Sequence, residues 1–139
     1  MDLRSPKLQK ILDTWIEEDI GDGDLTRFVL NDRSASAHWI AKEGGVFCGG
    51  DLVKLIFRKI DPQVDIQLLI EDGQKFEKNQ RLLELRGASS SLVAGERVTL
   101  NVAMHLSGIA TSTALLVNKL SGSNAVSYTH LTLPTILRV

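Results

Sequence analysis

Among the side chains able to do chemistry, one arginine stands apart. Arg97 lies in Glu96-Arg97-Val98-Thr99-Leu100-Asn101, a segment with helical spacing, and the positions one turn to either side, Val93 and Leu100, are apolar. A guanidinium in that setting has two readings. It is a solvated residue, paired at i, i+4 or snorkelling off an apolar stripe. Alternatively it is a planar fork with a permanent charge, aimed at a carboxylate that it binds bidentately. Glu96 beside it either orients the fork or is solvated. Asp19, Asp22 and Asp24 look at first like a metal loop. They fail the calcium-loop template, which needs oxygen ligands at alternating positions, then Gly and a distant Glu. Asp-Gly segments more often cap helices and form turns, so no metal site is expected there.

The remaining reactive side chains point to structure. His38 falls on the polar side of a strand pattern, and His105 near an expected helix end, where positive charge suits the dipole. Neither has a Cys or acidic partner at ligand spacing. Cys48, beside Gly49-Gly50, reads as a small core residue, because no local His or Lys would lower its pKa. Gly44-Gly45 and Gly49-Gly50 read as turns, with a phosphate cradle as the weaker alternative. The chain carries neither a Walker-type phosphate loop nor a dinucleotide fingerprint.

Several elements must position these residues. With 139 residues, 43% hydrophobic and 24% charged, the chain has the composition of one globular domain. A net charge of -1 leaves no surplus of Lys and Arg for phosphate backbones, which argues against general nucleic-acid binding. No uninterrupted apolar run approaches the roughly 20 residues of a membrane span, so none is expected. The first residues lack a signal-peptide core, and a lone cysteine cannot close an internal disulfide, so the expected compartment is the cytoplasm. Ser5 and Pro6 suit the start of a helix over 5–19, with Leu8, Ile11, Leu12, Trp15 and Ile16 inward and Gly21 and Gly23 ending it. Alternation over 34–42 predicts a strand with Ala35, Ala37, Trp39 and Ala41 on one side and Ser36, His38 and Lys42 on the other. Val46-Phe47-Cys48 is a short second strand, followed by a helix over about 51–60 with Leu52, Leu55, Ile56 and Ile60 inward, closed by Asp61-Pro62. Val64–Ile70 and Arg81–Arg86 are strands separated by the turn Glu71-Asp72-Gly73, and Gly87 ends the second. One of Ser89, Ser90 and Ser91 caps a long helix to about Leu106, and a further helix runs from about Ile109 to Leu120. The order α-β-β-α-β-β-α-α predicts an α+β sandwich, a small antiparallel sheet with helices on one face. Consecutive strands lack helical crossovers, which disfavours a doubly wound fold.

Taken together, Glu18-Asp19-Ile20-Gly21-Asp22-Gly23-Asp24-Leu25-Thr26, the Asp-Gly strand pair over 72–87, the Glu96–Asn101 helix and Leu106-Ser107-Gly108-Ile109-Ala110-Thr111 resemble the quinolinate phosphoribosyltransferases. The resemblance covers about residues 8–125. It implies the N-terminal α+β sandwich domain of a type II phosphoribosyltransferase whose C-terminal α/β barrel is missing. It implies an enzyme of NAD synthesis that joins quinolinate to phosphoribosyl pyrophosphate and releases pyrophosphate and carbon dioxide to give nicotinate mononucleotide. It further implies a homodimer or higher oligomer, with Mg²⁺ as cofactor of the full-length enzyme. The position of Arg97 corresponds to the arginine that crosses the subunit interface to contact quinolinate in the partner's active site. No catalytic residue is expected in this chain, which alone would be inactive.

The domain division expected is 1–106 for the α+β domain with the arginine helix and 107–125 for the first helix leading toward the barrel. The stretch 126–139, with His130, does not continue the resemblance and is expected to be a non-native tail. The helices over 92–120 should expose apolar surface. Two alternatives stand beside this reading: a non-catalytic binding module docking through residues 90–120, and a molybdenum-transport-associated homologue of the same fold. Residues 72–87 also have a strand-turn-strand pattern like lipoyl carrier domains, but lack their modified Lys at a hairpin tip.

Overall fold

The computed structural model describes residues 2–21 and 33–120. Asp22 to Thr26 of the first signature segment, His130 and the 126–139 tail lie outside the described residues.

Helix α1 spans Pro6–Ile20. Proline at the first helical position costs nothing, since its missing N–H would have had no intrahelical partner. Ser5 precedes it as N-cap, but its hydroxyl makes no capping bond. The helix ends at Gly21, whose φ of 60° is one a glycine adopts without strain. Only the row Leu8, Leu12 and Ile16 meets the core, and Leu12 is fully buried. Ile11 and Trp15, expected inward, are 37% and 41% exposed. The i, i+4, i+8 row is the line along which α1 touches the next two helices, and the flanking row falls beside it.

Strands β1 (Ser34–Ile40), β3 (Asp65–Leu68) and β5 (Arg81–Ala88) form one antiparallel sheet in the order β1-β5-β3. Strands β2 (Gly45–Val46) and β4 (Lys75–Phe76) form a separate two-stranded sheet. The expected single sheet is thus two, and β4 is an element that two-residue length hides from any periodicity test. Register explains the larger sheet's faces. Trp39, Leu83 and Leu68 align across the strands, as do Ala37, Leu85 and Ile66, giving an apolar face. One residue along, His38, Glu84 and Gln67 align, as do Ser36, Arg86 and Asp65, giving a polar one. Arg81 and Arg86 pair with Glu84 on that side at 3.4 and 4.0 Å. Gly87 does not end β5 but pairs with Ala35 inside it. A Cβ at Gly87 would sit 3.0 Å from Val64 Cγ2, so the glycine serves close packing.

Helix α2 (Gly50–Ile60) lies between the sheet and α1. Leu52 and Ile56 face α1 in a cluster with Leu12 and Val98. Val53 and Phe57 face the sheet with Leu83, Leu85 and Leu92. The sequence reading found the first pair and not the second, which widens the apolar arc opposite the polar face of Asp51, Lys54 and Arg58. Asp61 caps its end and accepts the Ser91 hydroxyl at 2.6 Å, tying α2 to the start of the last helix.

That last helix, α3, is one continuous element from Ser89 to Leu120. The expected break at Ser107-Gly108 does not occur. Small residues there allow approach to β2. The Ser107 hydroxyl accepts the Cys48 N–H at 3.0 Å, and the Thr111 hydroxyl accepts the Val46 N–H at 2.9 Å. Phe47 between them bonds to the other side, its N–H to the Gln74 carbonyl at 2.9 Å. The two hydroxyls thus stand where a neighbouring strand would satisfy alternate amides. The C-terminal half of α3 is apolar and exposed, with Ile109, Leu115 and Leu116 53%, 57% and 61% open, whereas Leu92, Ala94, Val98 and Ala103 are buried, so the apolar surface expected over 92–120 holds mainly for its later part. By length and composition α3 would suffice to cross a membrane, with a mean hydropathy of 1.4 over an 18-residue window, which the search for uninterrupted runs did not detect.

Candidate functional site

The N-terminal half of α3 is fixed by packing. Leu92, Ala94, Val98 and Ala103 are buried, and Gly95 lies against the Phe57 ring so closely that any Cβ would run into it. Helical rotation then settles where Arg97 goes. With Val98 turned into the α1–α2 cluster, the preceding residue points outward at the cluster's edge.

Arg97 is 75% exposed at its side chain, and its Nη1 lies 3.5 Å from Oδ1 of Asp19 in the last turn of α1. Asp19 is 21% exposed. The separation exceeds the roughly 2.7–2.9 Å of a charge-assisted hydrogen bond, and pairs this exposed contribute at most about 1 kcal/mol. The contact uses one nitrogen. The fork edge formed by Nε and Nη2 lies outside it and can meet a carboxylate. Arg97 is therefore solvated and paired, with Asp19 of another helix and not at i, i+4, and this partner leaves most of its donors uncommitted.

Asn101 and His105 continue the row from Arg97 at i+4 and i+8 and are exposed. A groove of about 600 Å³ opens beside the row, floored by Leu52, Val98 and Val102 and edged by Trp15, Glu18 and Asp19. The spacing of Asn101 and His105 from Arg97 is readable in the sequence, whereas the groove beside them is formed by tertiary approach of α1. His105 is corrected on a second count: α3 continues to Leu120, so this histidine sits inside a helix and meets no helix-end dipole.

Gly49-Gly50 does form an anion-binding helix start, but the anion is internal. Gly49 N–H donates to both oxygens of Asp72 at 3.1 and 3.0 Å, and Gly50 N–H donates to Oδ1 at 2.9 Å. A phosphate cradle is thereby excluded at this place, since the carboxylate occupies the donors a phosphate would use. Gly49 has a φ of 109°, and a Cβ there would meet Leu106 Cδ1 at 3.0 Å. Cys48 beside it is partly buried. Burial pushes its thiol up, and the Asp72 charge adds to the effect. A thiol held protonated is a poor nucleophile, as the sequence reading expected. His38 is exposed on β1, on the polar face of the sheet. Among the described residues, no three His, Cys, Asp or Glu side chains come together as a metal site.

Comparison with known proteins gives this geometry a context. Residues 24–107 match the family described as quinolinate phosphoribosyl transferase, N-terminal domain. A probable nicotinate-nucleotide pyrophosphorylase (carboxylating) of Bacillus subtilis is 40% identical over 108 residues, covering 77% of this chain and 37% of that protein. A quinolinate phosphoribosyltransferase (decarboxylating) of Nicotiana tabacum is 35% identical over 114 residues, covering 80% of this chain and 33% of its own. The solved nicotinate-nucleotide pyrophosphorylase of Francisella tularensis superposes with a TM-score of 0.79 at 34% identity, over 81% of this chain and 41% of that one. The chain thus spans about a third of the length of these curated relatives. Matched over more than half its residues and in its α+β fold, it belongs to the quinolinate phosphoribosyltransferase family, in the region of that family's N-terminal domain.

Proposed function

We propose that this chain is the N-terminal part of an enzyme that converts quinolinate and phosphoribosyl pyrophosphate to nicotinate mononucleotide, pyrophosphate and carbon dioxide. Its own contribution is Arg97, lent across a subunit interface to a carboxylate of quinolinate. The observation that carries this reading is the state of Arg97: 75% exposed on a helix whose neighbouring turns are packed, and held by a single long contact. Quinolinate bears two adjacent carboxylates on a flat ring. A planar fork with an open Nε–Nη2 edge recognises one of them bidentately.

The rest of the chemistry needs charge stabilisation on the departing pyrophosphate and at the anomeric carbon. The described residues offer no fitting metal site, so the Mg²⁺ implied for the full enzyme would be held elsewhere in it. The exposed apolar half of α3 is the surface on which the remainder of the enzyme and a second subunit would pack, in a cytoplasmic homodimer or higher oligomer.

The test is a chimera in which residues 1–120 replace the matching part of the Bacillus subtilis relative. It should form nicotinate mononucleotide from the two substrates. Arg97→Lys keeps the charge and loses the fork, and should raise the KM for quinolinate by roughly tenfold or more, the worth of a charge-assisted bidentate contact. An unchanged KM in that variant would refute the role of Arg97.

A further inference from the structure

The two signature segments of the sequence, Glu18–Thr26 and Glu96–Asn101, are far apart in the chain, and among the described residues an ion pair joins them: Asp19 Oδ1 against Arg97 Nη1. We propose that Asp19 is the positioning residue of Arg97, fixing the guanidinium so that its Nε–Nη2 edge is presented to the incoming carboxylate. This rests on the reading that Arg97 meets a carboxylate of the substrate.

The anchor itself is well held. Asp19 sits in the last turn of α1, and α1 is locked to α3 by the buried pair Leu12 and Val98, one residue from Arg97. Local preference does not account for an acid here. Glu17, Glu18 and Asp19 follow one another at the C-terminal end of α1, where the helix dipole disfavours negative charge, and the last turn carries no basic residue. The cost is offset across the helix pair, by Arg97.

Two effects of Asp19 on an arriving anion oppose each other. Its charge weakens the pull of the guanidinium, while its contact removes freedom that an unpinned arginine would lose on binding. At 75% exposure of Arg97, solvent and salt screen the charge effect, and the ordering effect prevails. Because one nitrogen is engaged and the opposite edge is left open, the pinning does not compete with bidentate recognition.

The test uses the chimera of residues 1–120 on the Bacillus subtilis relative, with labelled arginine, the Arg97 guanidinium signals followed by NMR while pyridine-2,3-dicarboxylate is added. Asp19→Ala should turn the Arg97 signals into those of a freely rotating guanidinium and raise the dissociation constant by roughly twofold to fivefold. Asp19→Glu should restore part of both. The thermal midpoint of Asp19→Ala should stay level or rise, since an acid leaves a helix C-terminus; a role in stability alone would lower it. Unchanged Arg97 signals and affinity in Asp19→Ala would overturn the proposal, and tighter binding would recast Asp19 as a competitor and overturn it equally. If the dicarboxylate leaves the wild-type Arg97 signals unmoved while Asp19→Ala still frees the guanidinium, the positioning stands. In that case it is the carboxylate-binding role of Arg97 that fails.

Discussion

Two places in this chain attract anions, and they are built in opposite ways. At the start of α2, backbone amides of Gly49 and Gly50 close on the Asp72 carboxylate at 2.9–3.1 Å, beside a thiol that burial keeps protonated. At Arg97, a far stronger cationic group has one carboxylate contact, at 3.5 Å, and stands largely in solvent. The first arrangement is saturated and serves the fold. The second leaves its donors available, as the proposed binding role requires. A site is thus distinguished by what its donors are already doing, more than by their charge.

Both places depend on one contact, and breaking it should have the largest effect. Gly95 allows α3 to lie on Phe57 of α2, which sets the position of Arg97 on one helix and of the capped start on the other. Gly95→Ala forces its methyl into the fully buried Phe57 ring and should lower stability by about 1–3 kcal/mol, the range for overpacked cores. Gly108→Ala in the same helix is the control. An added Cβ there meets nothing within 4 Å, and alanine suits a helix interior better than glycine by about 0.5–1 kcal/mol. Urea denaturation of the two variants should move in opposite directions. A common loss would mean that Gly95 is not chosen for its contact with Phe57.

The next comparison separates the two carboxylates. Asp72→Ala strands the partly buried amides of Gly49 and Gly50 and should cost about 1–3 kcal/mol. Asp72→Asn keeps an acceptor oxygen and should recover part of that. Asp19→Ala removes an exposed pair and should change stability by less than about 1 kcal/mol. If thermal unfolding gives Asp19→Ala the larger loss, the division into a structural and a binding carboxylate is wrong.

The same division marks what could be read from the sequence. The α+β class, α1 and α2, and the starts of β1 and β5 followed from spacing, because Leu8, Leu12 and Ile16, or Ala37 with Trp39, repeat at the period of their element. The family was legible because several segments agreed in order. What spacing could not give were contacts between distant residues. Asp72 capping α2 and the Ser107 and Thr111 hydroxyls standing in for a strand depend on tertiary approach. Gly87 and Gly108 were read as breaks, since glycine ends elements more often than it permits close packing. Arg97 was recognised as the residue to watch, but its partner Asp19 was read only as part of an acidic loop. No local rule relates a helix end to a residue so far along the chain.

The smallest effect concerns the thiol in the saturated region. Burial first, and the Asp72 charge second, raise the Cys48 pKa in the folded chain above its value in the unfolded one. Between those two values the folded state holds a proton that the unfolded state has released, so stability must fall as pH rises. This contribution is fully present below the unfolded thiol's pKa and is lost as pH climbs through the folded one. Chemical denaturation from neutral pH upward should therefore show a decline that Cys48→Ala makes shallower. Asp72→Asn should remove the lesser part of the same slope, since desolvation remains when the charge is gone. Asp19→Asn should leave the slope untouched, because Asp19 belongs to the open arginine site and not to the capped one. A slope that survives Cys48→Ala unaltered would mean that the thiol is hydrated in solution, and that the start of α2 is less closed than its hydrogen bonds to Asp72 require.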